Sequence, residues 1–447
     1  MFPILQAAEI DSKLGVLLEK RSSIAHPELE AAVVSAFDAL EQDGEKAIVD
    51  YTRRFDSETF CEEGIYLTDA FVESCVNGLE PDLRAAIDLA IKNISTVNAH
   101  IMSTLIDWTS ELAPGHLVGE RCLPQDSAML WVPSRKAPLV STAIMLCAAA
   151  ATAEVKNIIL ATPPLADGFP DRNTVAAAYL AGARHFVCGN GLAIIAAASV
   201  GNWRHGRMNA IYGPGPQAIA LAMHHGAKYG VATRPGIGPS DSLVIFENSE
   251  EDGYFDRLAR NFLTEIEHGP DSFTYALTTS ATAAKQLQNA LKDTSDLQYG
   301  RNDHYASIAE TAHGGVLVFA DIDALVAFAN RFSSEHLMIN VTGNDRDYVL
   351  GNVVSSELLD GQFTPFAAAN YCIGITAVLP TNGFARSCSG ITSRDFIRFA
   401  TYARLERQAL SNLLPAIEAI GAVERLPNHV EAVRQSVGRC PERVAQN

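Results

Sequence analysis

Glu265 and His268 are three residues apart and are followed directly by Gly269 and Pro270. The apolar spacing before them predicts a helix that ends here, because proline cannot continue a helix and glycine suits its C-terminal cap. Both side chains would then lie on one helix face, where they could share a metal ion or a proton. The spacing alone fits a second interpretation better, in which His268 simply caps the helix C-terminus, where a cation is favoured.

A second acid and base, Glu335 and His336, are adjacent in the chain between a predicted helix and a predicted strand. Such a pair could move protons on a substrate and on a water molecule. A Glu-His dipeptide without function on the surface would look the same. Cys388 is a candidate nucleophile, although no histidine lies near it in the sequence.

Strands and helices that alternate from about residue 128 must position these groups. Predicted strands at 155–161, 185–188 and 209–212 each lead through a glycine- or proline-rich turn into a helix. This order predicts a parallel sheet covered by helices, with ligands beyond the carboxyl ends of its strands. We expect the following loops to gather at that edge: 133–134, 162–164, 189–191, 213–215 and 236–240.

A second α/β portion follows, with helical segments at both ends of the chain. Strands are predicted at 242–246, 273–278, 315–319 and 337–340. The segments 28–55 and 80–105 have helical periodicity, and the chain is predicted to be helical after about residue 394. The fold class is therefore α/β with parallel sheets, a helical N-terminal segment and a C-terminal helical tail.

Composition excludes several classes of function. The 447 residues suggest two to four structural units, and the formal charge of −18 argues against nucleic acid or an anionic membrane as the main partner. The eight cysteines contain no C-x-x-C pair, so neither a zinc-cysteine knuckle nor a disulfide framework is expected. The N-terminus lacks a signal-peptide pattern and the longest apolar run, 143–153, is too short to span a bilayer, so we expect a cytoplasmic protein.

The motifs indicate a particular protein family more specifically when they are taken together than any one of them does alone. From about residue 30 to residue 437 the sequence resembles the histidinol dehydrogenase family. The residues that carry the resemblance are Gly238-Pro-Ser240, Glu265-x-x-His268-Gly-Pro-Asp-Ser, Ser334-Glu-His-Leu337, Leu379-Pro-Thr-x-Gly383 with Ser387-Cys-Ser-Gly390, and Glu424-Arg-Leu-x-x-His429.

The resemblance implies an intertwined homodimer built on two incomplete Rossmann-like domains. It also implies oxidation of an amino alcohol through an aldehyde to an amino acid, with NAD and one zinc ion. On this basis we expect an N-terminal helical segment at 1–125, partly joined to the first domain. The Rossmann-like domains would span 126–240 and 241–385, followed by a helical tail at 386–447.

The resemblance also implies roles for individual residues. His336 would take the alcohol proton, and Glu335 would activate the water that hydrates the aldehyde. The remaining positions, all read from this sequence, are zinc ligands at Glu265, His268, Asn370 and His429 of the partner subunit, substrate contacts at Ser240, Glu424 and Asn370, and NAD contacts at Trp131, Leu192 and Pro216.

Several positions depart from the family pattern. The first zinc ligand is usually Gln and the third usually Asp, whereas this chain has Glu265 and Asn370. The two changes cancel in charge, so the donor set still suits Zn²⁺, and also admits Mn²⁺ or Co²⁺. A substrate-holding His is replaced by Ala377.

The expected NAD site departs as well. Leu192 replaces a Gln and Pro216 an Asn, so two polar contacts to the nucleotide are lost, while Trp131 replaces a Tyr. Each lost hydrogen bond weakens binding by about 0.5–1.5 kcal/mol.

The sequence therefore predicts a metal-dependent, NAD-linked dehydrogenase that oxidises a small polar alcohol through an aldehyde to a carboxylate. Histidinol is one candidate, and another amino alcohol or a diol is slightly favoured. The alternative is a hydrolase or lyase that keeps the metal but no longer uses NAD, as the changes at Leu192 and Pro216 suggest. A non-catalytic binding protein is disfavoured, because Glu335, His336 and the two ligand histidines are all present together.

Overall fold

The computed structural model describes residues 2–6, 9, 14–15, 27–134, 137–234, 238–295, 302–311 and 313–438. Its contacts divide the chain into two units, each of which is discontinuous in sequence. The first unit comprises Met1–His100 with Gln125–Phe396, and the second comprises Ile101–Pro124 with Ile397–Asn447. Across the described residues, no helix is both long enough and apolar enough to cross a membrane.

The strands within the described residues, in chain order, are β1 Ile4–Gln6, β2 Trp108–Ala113, β3 His116–Pro124, β4 Ser127–Trp131, β5 Asn157–Thr162, β6 His185–Cys188, β7 Ala210–Tyr212, β8 Asp241–Phe246, β9 Phe273–Thr278, β10 Gly314–Val318, β11 His336–Asn340, β12 Glu357–Asp360 and β13 Ile397–Leu405. The α-helices are Pro27–Asp43, Glu45–Phe55, Asp69–Asn77, Pro81–Ser103, Val140–Thr152, Arg172–Leu180, Gly191–Val200, Gln217–Gly226, Tyr254–Thr264, Ala281–Ser295, Asn302–Glu310, Ile322–Phe332, Gly343–Asn352, Phe366–Tyr371, Arg407–Glu424 and Pro427–Val437.

A four-stranded parallel sheet, with strand order β6-β5-β4-β7, lies in the first unit. Its strands are continuous apolar runs, as expected where helices cover both faces of a sheet. The helix Val140–Thr152 is alanine-rich and buried over most of its length. The helix Gly191–Val200 begins at Asn190, whose side chain accepts hydrogen bonds from the first backbone N–H groups. The predicted first parallel sheet is confirmed.

A six-stranded parallel sheet, with strand order β1-β10-β9-β8-β11-β12, completes the first unit. Every strand pair in it is parallel. One face packs on a cluster that contains Phe246, Phe262 and Phe366. The other face packs on Tyr275 and Phe332. The α/β class with two parallel sheets is therefore as predicted.

The second unit contains an antiparallel sheet, β13-β3-β2, and the last two helices. The prediction that the chain is helical after residue 394 is wrong for β13, whose nine residues pair with β3 from Ile397 opposite Pro124 to Leu405 opposite His116. Its aromatic and β-branched residues favour a strand once a partner strand is present. The strands β2 and β3 likewise interrupt the N-terminal segment that was expected to be helical. The bounds of the four predicted segments stay predictions.

Candidate active site

His336 is the centre of a buried cluster of acidic side chains at the amino ends of β8, β11 and β12. The parallel register places His336 beside Glu357 on β12 and beside Ser242 on β8. His336 Nδ1 lies 2.6 Å from a carboxylate oxygen of Glu357. On the other side of the ring, Nε2 lies 3.6 Å from Glu335 Oε1 and 3.9 Å from Glu265 Oε2. One imidazole thus contacts or faces three carboxylates.

Glu335 is fixed by a reciprocal contact with Asp241, the first residue of β8. The backbone N–H of Glu335 donates to Asp241 Oδ1 at 2.7 Å, and the backbone N–H of Asp241 donates to Glu335 Oε2 at 3.3 Å. The backbone N–H of Asn382 donates to the second oxygen of Asp241 at 2.7 Å. Asp241 therefore ties the Glu335 backbone to the loop at residue 382.

The Glu265–His268 segment is a 3-10 turn that continues the helix Tyr254–Thr264 and ends at Gly269. The predicted stop at this glycine is confirmed. The Glu265 carboxylate is fully buried, and its Oε2 has no hydrogen-bond partner among the described residues. His268 Nδ1 lies 3.6 Å from this oxygen and 2.7 Å from the Ser240 hydroxyl. A buried, unpaired carboxylate oxygen is costly unless a cation or a proton balances its charge.

Asn370, at the end of the helix Phe366–Tyr371, approaches the same carboxylate. Its Nδ2 lies 3.5 Å from Glu265 Oε1. Glu265, His268 and Asn370 therefore converge in the first unit and supply one carboxylate, one imidazole and one amide. Among the described residues, no group of three or more His, Cys, Asp or Glu side chains could hold a metal ion. The first unit's three donors fit zinc in type but leave its usual four-coordinate shell incomplete.

The remaining expected ligand, His429, lies in the second unit near the start of the helix Pro427–Val437. It is exposed, and so is Glu424 at the end of the preceding helix. Neither residue belongs to the unit that holds Glu265. Their assignment as a zinc ligand and a substrate contact stays a prediction.

Burial and charge act in opposite directions on His336. Burial lowers the pKa of His336, but the negative charges of Glu265 and Glu335 and the hydrogen bond with Glu357 outweigh it and raise the pKa above the ordinary value. Burial also raises the pKa of Glu335, against the neighbouring imidazole, which lowers it. The carboxylates of the cluster therefore favour the protonated form of His336.

The expected nucleotide contacts lie at the carboxyl edge of the four-stranded sheet. Trp131 ends β4 and is buried, with no hydrogen-bond partner for its indole N–H among the described residues. A Cβ at Gly191 would lie 2.5 Å from the Trp131 ring, so only glycine fits there. Leu192 follows in the same turn and packs partly on the core, and Pro216 is exposed before the helix Gln217–Gly226.

The predicted loops at this edge are present, except that residues 236–237 lie outside the described residues. The Ser134 and Thr162 hydroxyls, from two of these loops, are 3.1 Å apart. The sulfur of Cys388, the candidate nucleophile, lies 3.7 Å from the Ser387 hydroxyl. No contact between Cys388 and a histidine is found among the described residues. Nothing in the structure favours it as a nucleophile.

Three residues of the site were not identified from the sequence. Glu357 and Asp241 lie beside His336 and Glu335 only because their strands are neighbours. Arg234 lines a cavity of about 110 Å³ together with Ser240, Glu335 and Ala377. No local pattern marks these residues, since each follows a break between elements and looks like an ordinary surface charge.

Two parallel sheets and a buried imidazole among carboxylates are the features of an α/β enzyme with a candidate site for proton transfer. Comparison with known proteins makes this class specific. The histidinol dehydrogenase family model matches residues 19–437. The chain belongs to the histidinol dehydrogenase family.

Individual relatives agree with this assignment over nearly the whole chain. A histidinol dehydrogenase homolog of Cereibacter sphaeroides is 30% identical over 430 residues, which cover 95% of this chain and 96% of that protein. A histidinol dehydrogenase of Idiomarina loihiensis is 31% identical over 398 residues, covering 88% and 87%. The crystal structure of histidinol dehydrogenase from Elizabethkingia anophelis has a TM-score of 0.86 at 25% identity and covers 98% of both chains.

The family assignment fixes the general activity. The protein is an NAD-dependent alcohol and aldehyde dehydrogenase, and histidinol dehydrogenases use NAD and a zinc ion. The alternative of a hydrolase or lyase without NAD is therefore not favoured. The substrate and the roles of individual residues are separate questions.

Proposed function

We propose that this dehydrogenase oxidises a small polar alcohol through an aldehyde to a carboxylate, with His336 as the base. The observation that carries the proposal is the position of His336 Nε2, which lies 3.6 Å from Glu335 and 3.9 Å from Glu265 in a buried cluster. A substrate hydroxyl beside Glu265 would be within reach of that nitrogen. Exclusion of water strengthens each of these charge interactions.

The residues divide the proton transfers between them. His336 accepts the alcohol proton, and Glu357 holds the ring so that Nε2 faces the substrate. Glu335, which Asp241 holds in place, takes a proton from the water that hydrates the aldehyde. Ser240, whose hydroxyl contacts His268, would bind the substrate oxygen. Bound NAD would supply the hydride acceptor for both oxidations, and Trp131, Leu192 and Pro216 would be the residues that contact it.

The metal site is proposed on the unpaired oxygen of Glu265. Glu265, His268 and Asn370 would hold zinc, and His429 of the partner subunit would complete a four-coordinate shell. The bound cation would polarise the alcohol oxygen and offset the carboxylate charge that now favours a protonated His336. Glu265 supplies the carboxylate that the family usually has at position 370.

The surface of the second unit supports a homodimer. It exposes large apolar side chains that a small unit cannot bury by itself, namely Ile106, Trp108, Leu112, Phe399, Ile420 and Val423. Val423 is 83% exposed and Ile106 is 66% exposed. Large exposed apolar surface of this kind marks a protein interface. A second copy of the chain would cover these side chains.

The test is His336→Ala, assayed for NAD reduction and for zinc content. We expect turnover to fall by about 10²–10⁴, the usual contribution of a general base, with zinc retained. His225→Ala is the matched control, because this histidine packs on Phe37 and lies outside the cluster. If His336→Ala keeps turnover within about tenfold of wild type, His336 is not the base.

A further inference from the structure

The cavity beside Ser240 and Glu335 has a cationic side chain in its wall. Of the described residues that line this cavity of about 110 Å³, only Arg234 carries a positive charge. The wall also includes Tyr212, Ser389 and Ala377. This volume is below the roughly 300–1,000 Å³ of common ligand pockets, so the cavity suits only a molecule of a few heavy atoms.

Asp395 holds the Arg234 guanidinium in a fixed orientation. Arg234 Nε donates to Asp395 Oδ1 at 2.6 Å, and Nη2 donates to the same oxygen. The other oxygen accepts from the Thr392 backbone N–H at 2.8 Å. The Tyr212 hydroxyl donates to the Asp395 backbone carbonyl at 3.0 Å. Asp395 is therefore tied at three points, and its partner cannot rotate freely.

Exposure differs sharply between the two members of this ion pair. The Asp395 side chain is 3% exposed, whereas that of Arg234 is 41% exposed. A guanidinium has five N–H donors, and Asp395 occupies two of them. The remaining donors form the kind of planar fork that binds oxyanions.

We propose that Arg234 binds an anionic group of the alcohol substrate, a carboxylate, a sulfonate or a phosphate. The inference rests on the proposed function, because Ser240 and Glu335 of the same cavity would hold the reacting end of the substrate. Ala377 adds no competing charge. A cationic group placed against Arg234 would bind less well than an anionic group at the same position.

Gly213 and Pro214, which follow β7, also line the cavity. The anion that Arg234 binds could therefore come from a second source, a phosphate of the dinucleotide. The two sources are separated by kinetics. Loss of a substrate contact raises KM for anionic alcohols only, whereas loss of a nucleotide contact raises KM for NAD with every alcohol.

The experiment compares four alcohols of matched length in NAD reduction: hydroxypropanoate, hydroxypropanesulfonate, propanediol and aminopropanol. We expect kcat/KM to be about tenfold or more higher for the two anions than for the neutral diol, and lowest for the amine. Arg234→Gln should raise KM for the anions about tenfold or more and change the diol and NAD constants less than about threefold.

Two further variants guard against a folding defect, since Arg234→Gln leaves Asp395 buried without a cation. Arg234→Lys keeps the charge but not the fork, so anion affinity should fall part of the way. The double variant with Asp395→Asn removes both charges, and should fold with anion selectivity lost. Arg346→Gln is the matched control, because its side chain is also 41% exposed and also pairs with an aspartate, Asp360.

If the double variant loses kcat/KM equally for anionic and neutral alcohols, the inference is overturned and Arg234 is only a counterion of Asp395. A rise in KM for NAD with no change in anion preference would overturn it in favour of the nucleotide. If no alcohol is oxidised, calorimetric titration with hydroxypropanoate separates the two claims. Binding that Arg234→Gln abolishes would preserve the anion site while the proposed function fails.

Discussion

Glu357→Gln is the most direct test of how the site is organised. The change keeps the shape of the side chain but removes its negative charge. Glu357 contacts His336 Nδ1 at 2.6 Å, with the side chains 4% and 2% exposed, so solvent cannot replace the contact. A hydrogen bond to a charged group contributes about 1.5–3 kcal/mol.

Since each 1.36 kcal/mol changes a rate tenfold, kcat should fall about 10- to 150-fold. The reason is that the ring loses the partner that orients Nε2 and stabilises its protonated form. Glu357→Ala should be slower still, because it leaves Nδ1 buried without a partner. The KM for NAD and the zinc content should not change, since neither depends on this contact.

The assay is the initial rate of NADH formation at saturating alcohol and NAD, with thermal melts to verify folding. Glu247→Gln is the control, because Glu247 also accepts a hydrogen bond, from the Thr342 hydroxyl, but on the surface. A Glu357→Gln enzyme that keeps more than about half of the wild-type kcat, with an unchanged melting temperature, would refute a positioning role for Glu357.

Three further predictions concern the metal, the assembly and pH. His268→Ala and His429→Ala should each strip zinc measured by atomic absorption, and unchanged zinc would contradict the ligand assignment. Val423→Glu should yield monomers in light scattering, whereas Val34→Glu in the first unit should not; a wild-type monomer would argue against the dimer. Burial lowers the pKa of His205 to about 4, so the unfolded chain binds a proton that the folded chain does not. Stability should therefore fall as pH drops from about 6.5 to 4, and His205→Gln should reduce this slope in urea titrations; an unchanged slope would exclude His205.

Much of the fold follows from local sequence patterns. The strand predicted at 185–188 matches β6, and the strand predicted at 273–278 matches β9. These segments are apolar runs bounded by glycine, proline or polar residues. Such a pattern predicts a strand even when its partner strands are unknown. The stop at Gly269 was likewise visible, because helix termination depends on residues adjacent in sequence.

The errors have one physical origin. The strand β13 was predicted as helix because its nine residues become a strand only when β3, far away in the chain, pairs with them. Strand preference depends on such neighbours more than helix preference does.

The candidate site likewise combines residues that local sequence indicates with residues that only the tertiary structure brings together. The sequence by itself made Glu265, His268, Glu335 and His336 candidates, because their types and spacing are local. Only the tertiary structure placed Glu357 beside His336, and Arg234 in the cavity wall. Hydrophobic periodicity determines which residues form each strand, but not which strand lies next to it. That order is decided by packing of the whole sheet, and so is the set of carboxylates that surrounds His336.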